Sequence, residues 1–193
     1  RSAVRIRHRP LIIMNNINIT LPDNSVKTFP VGITAQEVAN SIGSGLARAV
    51  VVAKINGVLK DLNYKILKDS SLELFTGDTP EGHDTLLHST AHLMAQAVKA
   101  LYPNAKFTIG PTIENGFYYD FDLDVSFSED SLVSIENKMK ELSKKNQEIF
   151  RYEVSASEAV SIFEKLGESY KVEIVGQINP EDTISLYKQS DFT

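Results

Sequence analysis

Apolar and polar residues alternate strictly through Ile17-Asn18-Ile19-Thr20-Leu21, the two-residue period of a half-buried strand. Pro22-Asp23-Asn24-Ser25 supplies turn chemistry, and Val26 to Phe29 predicts the returning strand of a hairpin. Thr34-Ala-Gln-Glu37 is a capping box, with a hydroxyl at the cap and a carboxylate three residues on. The helix it opens is expected to reach about Ile42, with Val38 and Ile42 facing inward, and to stop at Gly43. Ala47 to Ile55 is a nearly continuous apolar run rich in β-branched residues, which predicts a buried strand. Asn56-Gly57 predicts a tight hairpin, because both positions of a type I′ turn need positive φ. Val58-Leu59 begins the partner strand, and Ser71 to Phe75 gives one more. Strand, strand, helix, strand, strand in this order predicts a mixed sheet crossed by one helix, and a β-grasp arrangement fits.

Thr76 to Gly82 holds two glycines, a proline and no large apolar residue, and residues 77–83 read as a linker. A helix is expected from about Asp84 to Tyr102, with Leu87, Ala91, Met94, Val98 and Leu101 on one stripe. Lys106 to Ile113 and Phe117 to Phe121 read as two strands joined through Glu114-Asn115-Gly116. Ser128 caps a helix to about Asn146, whose apolar positions are Leu132, Ile135, Met139 and Leu142. A strand near Ile149 to Val154 precedes a second capping box, Ser155-Ala-Ser-Glu158, and a helix through Phe163. Thr183 to Lys188 alternates weakly, as a strand would. The fold class is α+β in two domains, 14–76 and 84–193.

Composition narrows the class. The 193 residues are 42% hydrophobic and 23% charged, an ordinary globular balance, and no apolar run is long enough to span a bilayer. Cysteine is absent, which excludes disulfides and thiolate metal sites from this segment and fits a cytoplasmic protein. A net charge of −5 argues against a general nucleic-acid-binding surface, so any such contact must be local or supplied by parts of a longer protein. Four of the 20 basic residues are Arg1, Arg5, Arg7 and Arg9, and no acid precedes Asp23. Residues 1–13 read as upstream or appended sequence, with a fragment of a basic targeting peptide as the competing reading.

The chemistry-bearing residues are few. His88 and His92 stand at i, i+4 and project from one helix face, where two imidazoles can bind a metal or supply a neutral base near pH 7. A satisfied structural pair is the plainer reading of that spacing. Ser89 after His88 disfavours a metalloprotease motif, and zinc needs a third ligand, for which Asp120, Asp122 and Asp124 are the available carboxylates. His8 and His83 fall in expected loops. Lys171 falls in an expected turn after Gly167, where a lysine is ordinarily solvated. Tyr118 and Tyr119 point to opposite faces of their strand, one buried and one free to line a pocket. No phosphate-binding loop, dinucleotide glycine signature or nucleophile elbow is present.

The segment His88-Ser-Thr-Ala-His92-Leu-Met-Ala-Gln-Ala-Val, followed by Ile109-Gly-Pro-Thr-Ile-Glu-Asn-Gly-Phe-Tyr-Tyr-Asp120, resembles the editing domain of bacterial-type threonyl-tRNA synthetases. Gly167-Glu-Ser-Tyr-Lys-Val172 extends the likeness in order, and the leading domain resembles the TGS module, a β-grasp unit. The resemblance implies a TGS-like domain at 14–76 and an editing domain of the threonyl/alanyl type at 84–193, truncated at its carboxyl end. It implies hydrolysis of mischarged seryl-tRNA(Thr) here, with ATP-dependent attachment of threonine to tRNA(Thr) elsewhere in the parent. On that resemblance His88, His92 and Lys171 are the catalytic candidates, Tyr119 binds substrate, and this segment has no metal ligands. ATP, Mg and Zn, and homodimer formation, are expected of a catalytic domain outside the segment. A family motif, Cys-Arg-Gly-Pro-His, is expected after Thr193 to complete the pocket. Two alternatives remain: a non-catalytic regulatory or binding module containing a TGS domain, and an alanyl-type zinc-dependent trans-editing hydrolase.

Overall fold

The computed structural model describes residues 15–189 and 192–193, so the expectations for residues 1–13 lie outside the described residues. The chain divides into two compact units, 1–86 and 87–193, the second beginning three residues beyond the boundary expected from sequence.

In the first unit β1 (Asn16–Thr20) pairs antiparallel with β2 (Val26–Pro30), and Asp23 holds the turn by accepting from the Ser25 N–H at 2.9 Å. The two-residue β3 (Ile33–Thr34) leads into α1 (Ala35–Ile42), whose capping box at Thr34 and Glu37 forms as expected. Then come α2 (Ser44–Ala49), β4 (Val50–Ile55), β5 (Val58–Lys60), β6 (Lys65–Ile66) and β7 (Ser70–Thr76). The sheet runs β2-β1-β7-β4-β5, with β1 and β7 parallel and the other neighbours antiparallel. Asn56 and Gly57 have φ of 49° and 80°, as the type I′ turn between β4 and β5 requires.

Alternation in β1 delivers Ile17 and Ile19 to the core, where they meet Val38 and Ala35 of α1 with Ala53, Ile55, Ile66 and Leu72. The helix therefore closes one face of the sheet. Two expectations fail here. Ile42 is 41% exposed, because α1 ends there. Residues 47–49 are helical, since Leu46, Ala47, Arg48 and Ala49 are good helix formers. The Gln36 side-chain amide also donates to the Ala47 carbonyl at 3.0 Å, so the strand starts only at Val50.

The next helix, α3 (Pro80–Leu101), starts earlier than expected and takes in His83 and most of the presumed linker. Thr79 Oγ1 accepts from the Gly82 N–H at 3.2 Å, and Pro80 occupies the first helical position, where its missing N–H is harmless. The unit boundary, Leu86/Leu87, falls inside this helix.

In the second unit the expected long strands are broken into β8 (Lys106–Phe107), β9 (Thr112–Ile113), β10 (Gly116–Phe117) and β11 (Phe121–Asp122), with β8 paired to β11 and β9 to β10. Bonds from Thr108 N to Asp120 O and from Asp120 N to Ile109 O carry the ladder across the gap. Helix α4 (Glu129–Lys144) is capped by Ser128, and Ile135 and Leu142 are buried, but Leu132 is 57% exposed. The antiparallel pair β12 (Ile149–Ser155) and β13 (Thr183–Gln189) flanks α5 (Ala156–Leu166) and α6 (Ser169–Gly176) in sequence. Two cores result. Val98, Phe107, Ile135 and Leu142 anchor one, while Phe163, Val175 and Leu186 anchor the other. Among the described residues no helix is long and apolar enough to cross a membrane.

Candidate functional site

The second half of α3 is apolar where it packs, with Ala91, Ala95, Ala97 and Val98 buried. Leu101 of the expected stripe is instead 38% exposed, at the last residue of the helix. His88 and His92 project from the same helix face, with Nε2 atoms 3.1 Å apart and rings meeting edge to face. That distance is a hydrogen bond, so one imidazole carries its proton on Nε2 and the other presents a lone pair. His88 is exposed and His92 partly buried. Burial, then the charges of His88 and Lys171, push the pKa of His92 down to about 4. His92 is thus a neutral imidazole at physiological pH, and His88 is the member open to solvent.

Lys171 lies in the first turn of α6, not in a loop, because Gly167 (φ 73°) ends α5 and a new helix begins two residues later. Its Nζ donates to the Thr193 carbonyl at 2.8 Å and lies over the rings of Phe163, Phe192 and Phe107 at 5.2, 5.5 and 5.9 Å. Burial lowers its pKa; Glu168 opposes that effect and Lys99 adds to it. An ammonium stripped of water in an aromatic cage is a proton donor of unusual strength for a lysine.

Tyr118 is 48% exposed and Tyr119 packs inward, the opposite orientation expected of neighbours on a strand. Tyr119 stacks on Phe121 and meets the edge of Phe107, with centroids 5.1 and 5.9 Å away. Its ring lies so close to Gly110 that a Cβ there would come within 2.2 Å of Cδ2. Burial, then the charge of Glu168, raise its pKa, so it remains a neutral phenol. Phe107 is the shared neighbour of Tyr119 and Lys171.

Reading from sequence missed four residues here. Glu168, 5% exposed, accepts from Lys99 Nζ at 2.8 Å and from the Phe107 N–H at 3.4 Å. Gln96 is buried with its Oε1 lacking a hydrogen-bond partner, while its amide nitrogen donates to the Gln189 carbonyl at 3.4 Å. One signal was available: His88, His92, Gln96 and Lys99 recur at steps of four, four and three along one stripe of α3. Nothing local marked Glu168 or Phe107, whose partners are distant in sequence. Of the three aspartates considered as ligands, Asp122 accepts from the Tyr170 hydroxyl at 2.9 Å. Among the described residues no group of three or more His, Cys, Asp and Glu side chains is gathered to hold a metal ion.

The first unit, a five-stranded mixed sheet closed by one helix, is a β-grasp domain, and the second is an α+β domain that carries the paired histidines. Residues 17–76 match the TGS domain family. The chain is 49% identical over 179 residues to the threonine–tRNA ligase of Citrifermentans bemidjiense, covering 93% of this chain and 28% of that protein. It is 50% identical over 174 residues to that of Alkalilimnicola ehrlichii (90% and 27%), and 47% identical over 176 residues to that of Acetivibrio thermocellus (91% and 28%). Over 90% or more of its length the chain thus matches the amino-terminal part of threonine–tRNA ligases. It spans little more than a quarter of the length of these relatives.

Proposed function

We propose that the second unit is the proofreading part of a threonine–tRNA ligase, which hydrolyses the ester joining serine to the terminal ribose of tRNA(Thr). The observation that carries this is the His88–His92 pair, a solvent-facing imidazole hydrogen-bonded at 3.1 Å to one that burial keeps neutral. A solvent-facing imidazole hydrogen-bonded to a neutral one is suited to positioning a water and accepting its proton.

In this reading His88 or Lys171 positions or deprotonates the attacking water, and His92 and Tyr119 orient it and the terminal adenosine. The water oxygen bonds to the ester carbonyl carbon as its proton passes to the base, and the bond between that carbon and the ribose oxygen breaks. The ribose oxygen takes up a proton, leaving free serine and intact tRNA. Lys171, a desolvated ammonium, is a suitable source of that proton. Proofreading answers a physical limit: threonine and serine differ by one methyl, which a binding pocket discriminates by only about 1–3 kcal/mol. The parent protein would use ATP, Mg and Zn to attach threonine in a separate domain and would act as a cytoplasmic homodimer.

The test is hydrolysis of seryl-tRNA beside threonyl-tRNA by the full-length protein and its His88→Ala variant. Loss of serine alone, slowed by a factor of roughly 10²–10⁴ in the variant, is the expected result. An unchanged rate in a folded His88→Ala protein would remove the assignment. Abolition of the activity by a chelator would favour the zinc-dependent trans-editing alternative.

A further inference from the structure

The site described above leaves unexplained a charged pair in its own foundations. Glu168 is one of the few buried polar residues among those described, and its carboxylate joins three elements. One oxygen accepts from Lys99 on α3 at 2.8 Å, and the other from the Phe107 N–H on β8 at 3.4 Å, while Glu168 itself is the cap residue of α6. Lys99 is fixed as well, donating to the Ala105 carbonyl at 2.8 Å. A carboxylate this buried is retained only with partners, and here the partners are complete.

Lys171 lies three residues along the same helix, so Glu168 sits beside it on one face. The two lysines share a neighbour: Lys99 Nζ and Lys171 Nζ lie 5.3 and 5.9 Å from the centroid of the Phe107 ring. The carboxylate is bonded to the first ammonium and faces the second only through space. What otherwise surrounds Lys171 is a carbonyl and three phenyl rings, which offer partial charge alone. From α3 it feels Lys99 and His92, and from β8 and α5 it is faced by the neutral rings of Phe107 and Phe163.

We propose that Glu168 is the positioning residue of Lys171: clamped by Lys99, it anchors the first turn of α6 beneath that ammonium and supplies its balancing charge. The Lys99–Glu168 pair thereby sets the pH range in which Lys171 is cationic. His92 does not share this control, since it is neutral above about pH 4, and Tyr119 stays in its phenol form, which the Glu168 charge also favours. Only the consequence for catalysis rests on the proofreading function proposed above; the charge coupling does not.

The experiment measures Lys171 directly in the full-length protein, by its rate of acylation with acetic anhydride as a function of pH, read by peptide mass spectrometry. In Glu168→Gln the Lys99 charge is left unbalanced, and the Lys171 midpoint should fall by about one pH unit or more. In Lys99→Met the freed carboxylate faces Lys171 alone, and the midpoint should rise. The double variant should lie between the two single variants. Opposite signs from the two sides of one pair are the signature, since a purely structural staple would alter the midpoint in the same direction whichever partner is lost. An unmoved midpoint in folded Glu168→Gln, or movement of both single variants the same way, overturns the proposal. If Glu168→Gln does not fold, the rise in Lys99→Met decides alone. Seryl-tRNA hydrolysis profiles on the same variants separate the two ideas: a shifted Lys171 midpoint with an unshifted rate profile supports the coupling and removes Lys171 from the reaction.

Discussion

The Nε2 atoms of His88 and His92 stand 3.1 Å apart, so a single proton must be shared between them. Because the pKa of His92 is pushed down to about 4, that proton is carried without net charge on His92 over the physiological range. His92 is therefore the uncharged member of the pair, and His88 is the one that meets solvent.

Acid should loosen the second unit through this pair. The folded pKa of His92 lies below its unfolded value near 6.5, so between about pH 6.5 and 4 the unfolded chain holds more protons. Stability then falls as pH drops through that window, by at most about 3 kcal/mol and by less to the extent that solvent screens the ring. Urea unfolding at pH 7 and pH 5 measures the loss. His92→Gln, which cannot titrate, should lose distinctly less between the same two pH values.

Much of the fold follows from local patterns. The alternation at Ile17 and Ile19 placed both in the core, Thr34/Glu37 and Ser155/Glu158 formed the boxes expected of them, and Asn56-Gly57 made its turn. The failures share a cause. Val50 to Ile55 is a strand whose apolar run extends backward into Ala47, and only the helix-forming quality of residues 46–49 and the bond from Gln36 separate helix from strand. Thr79-Pro80 looked like a break, yet the same residues form a helix cap and first turn. In the site, the histidine spacing was legible on α3, whereas α6 was hidden behind Gly167 and the Glu168–Lys99 contact joins residues 69 positions apart.

The cap at Thr79 gives a direct test of that reading. Its hydroxyl accepts from the Gly82 N–H and donates to the Thr76 carbonyl, at 3.2 and 2.7 Å. Thr79→Val keeps the shape and removes both bonds, and should cost about 1 kcal/mol. Thr79→Ser should retain most of it. Denaturant midpoints of the two variants, and amide exchange at the start of α3, check the expectation.

Gly110 is constrained by Tyr119 rather than by its backbone angles. Since a Cβ at Gly110 would fall 2.2 Å from Tyr119 Cδ2, Gly110→Ala must drive the ring off its stack on Phe121. Overpacking of this kind costs about 1–3 kcal/mol. The near-ultraviolet dichroism of the tyrosines should change. If Tyr119 binds the terminal adenosine, KM for seryl-tRNA should rise more than kcat falls. Equal effects on both would indicate general disruption.

In the first unit the core is small enough for one truncation to be felt. Leu72 on β7 is 1% exposed and packs among Ile17, Ile19, Val38 and Ile55. Leu72→Ala should destabilise this unit by about 2–5 kcal/mol, the cavity adding to the lost transfer energy. Leu59 on β5, 47% exposed, is the matched control, and Leu59→Ala should stay within about 0.5 kcal/mol. Hydrogen exchange of the β4 and β7 amides distinguishes the two.

Phe107 offers the sharpest separation of packing from electrostatics. Its ring is fully buried, meets Tyr119, Phe121 and Phe192 edge to face, and lies under both Lys99 and Lys171. Phe107→Leu keeps an apolar side chain and the N–H that Glu168 accepts, and removes only the π face and some volume. A stability loss of about 1–3 kcal/mol is expected from the smaller side chain and the lost ring contacts. The two ammoniums would also lose an attraction of about 0.5–2 kcal/mol each, which favours their charged forms. Lys171 should therefore become easier to deprotonate in Phe107→Leu, visible as faster acylation at a fixed pH. Phe107→Tyr, which keeps the π face, should leave that rate near the parent value. Equal rates in parent and Phe107→Leu would show that the ring supports Lys171 by shape alone.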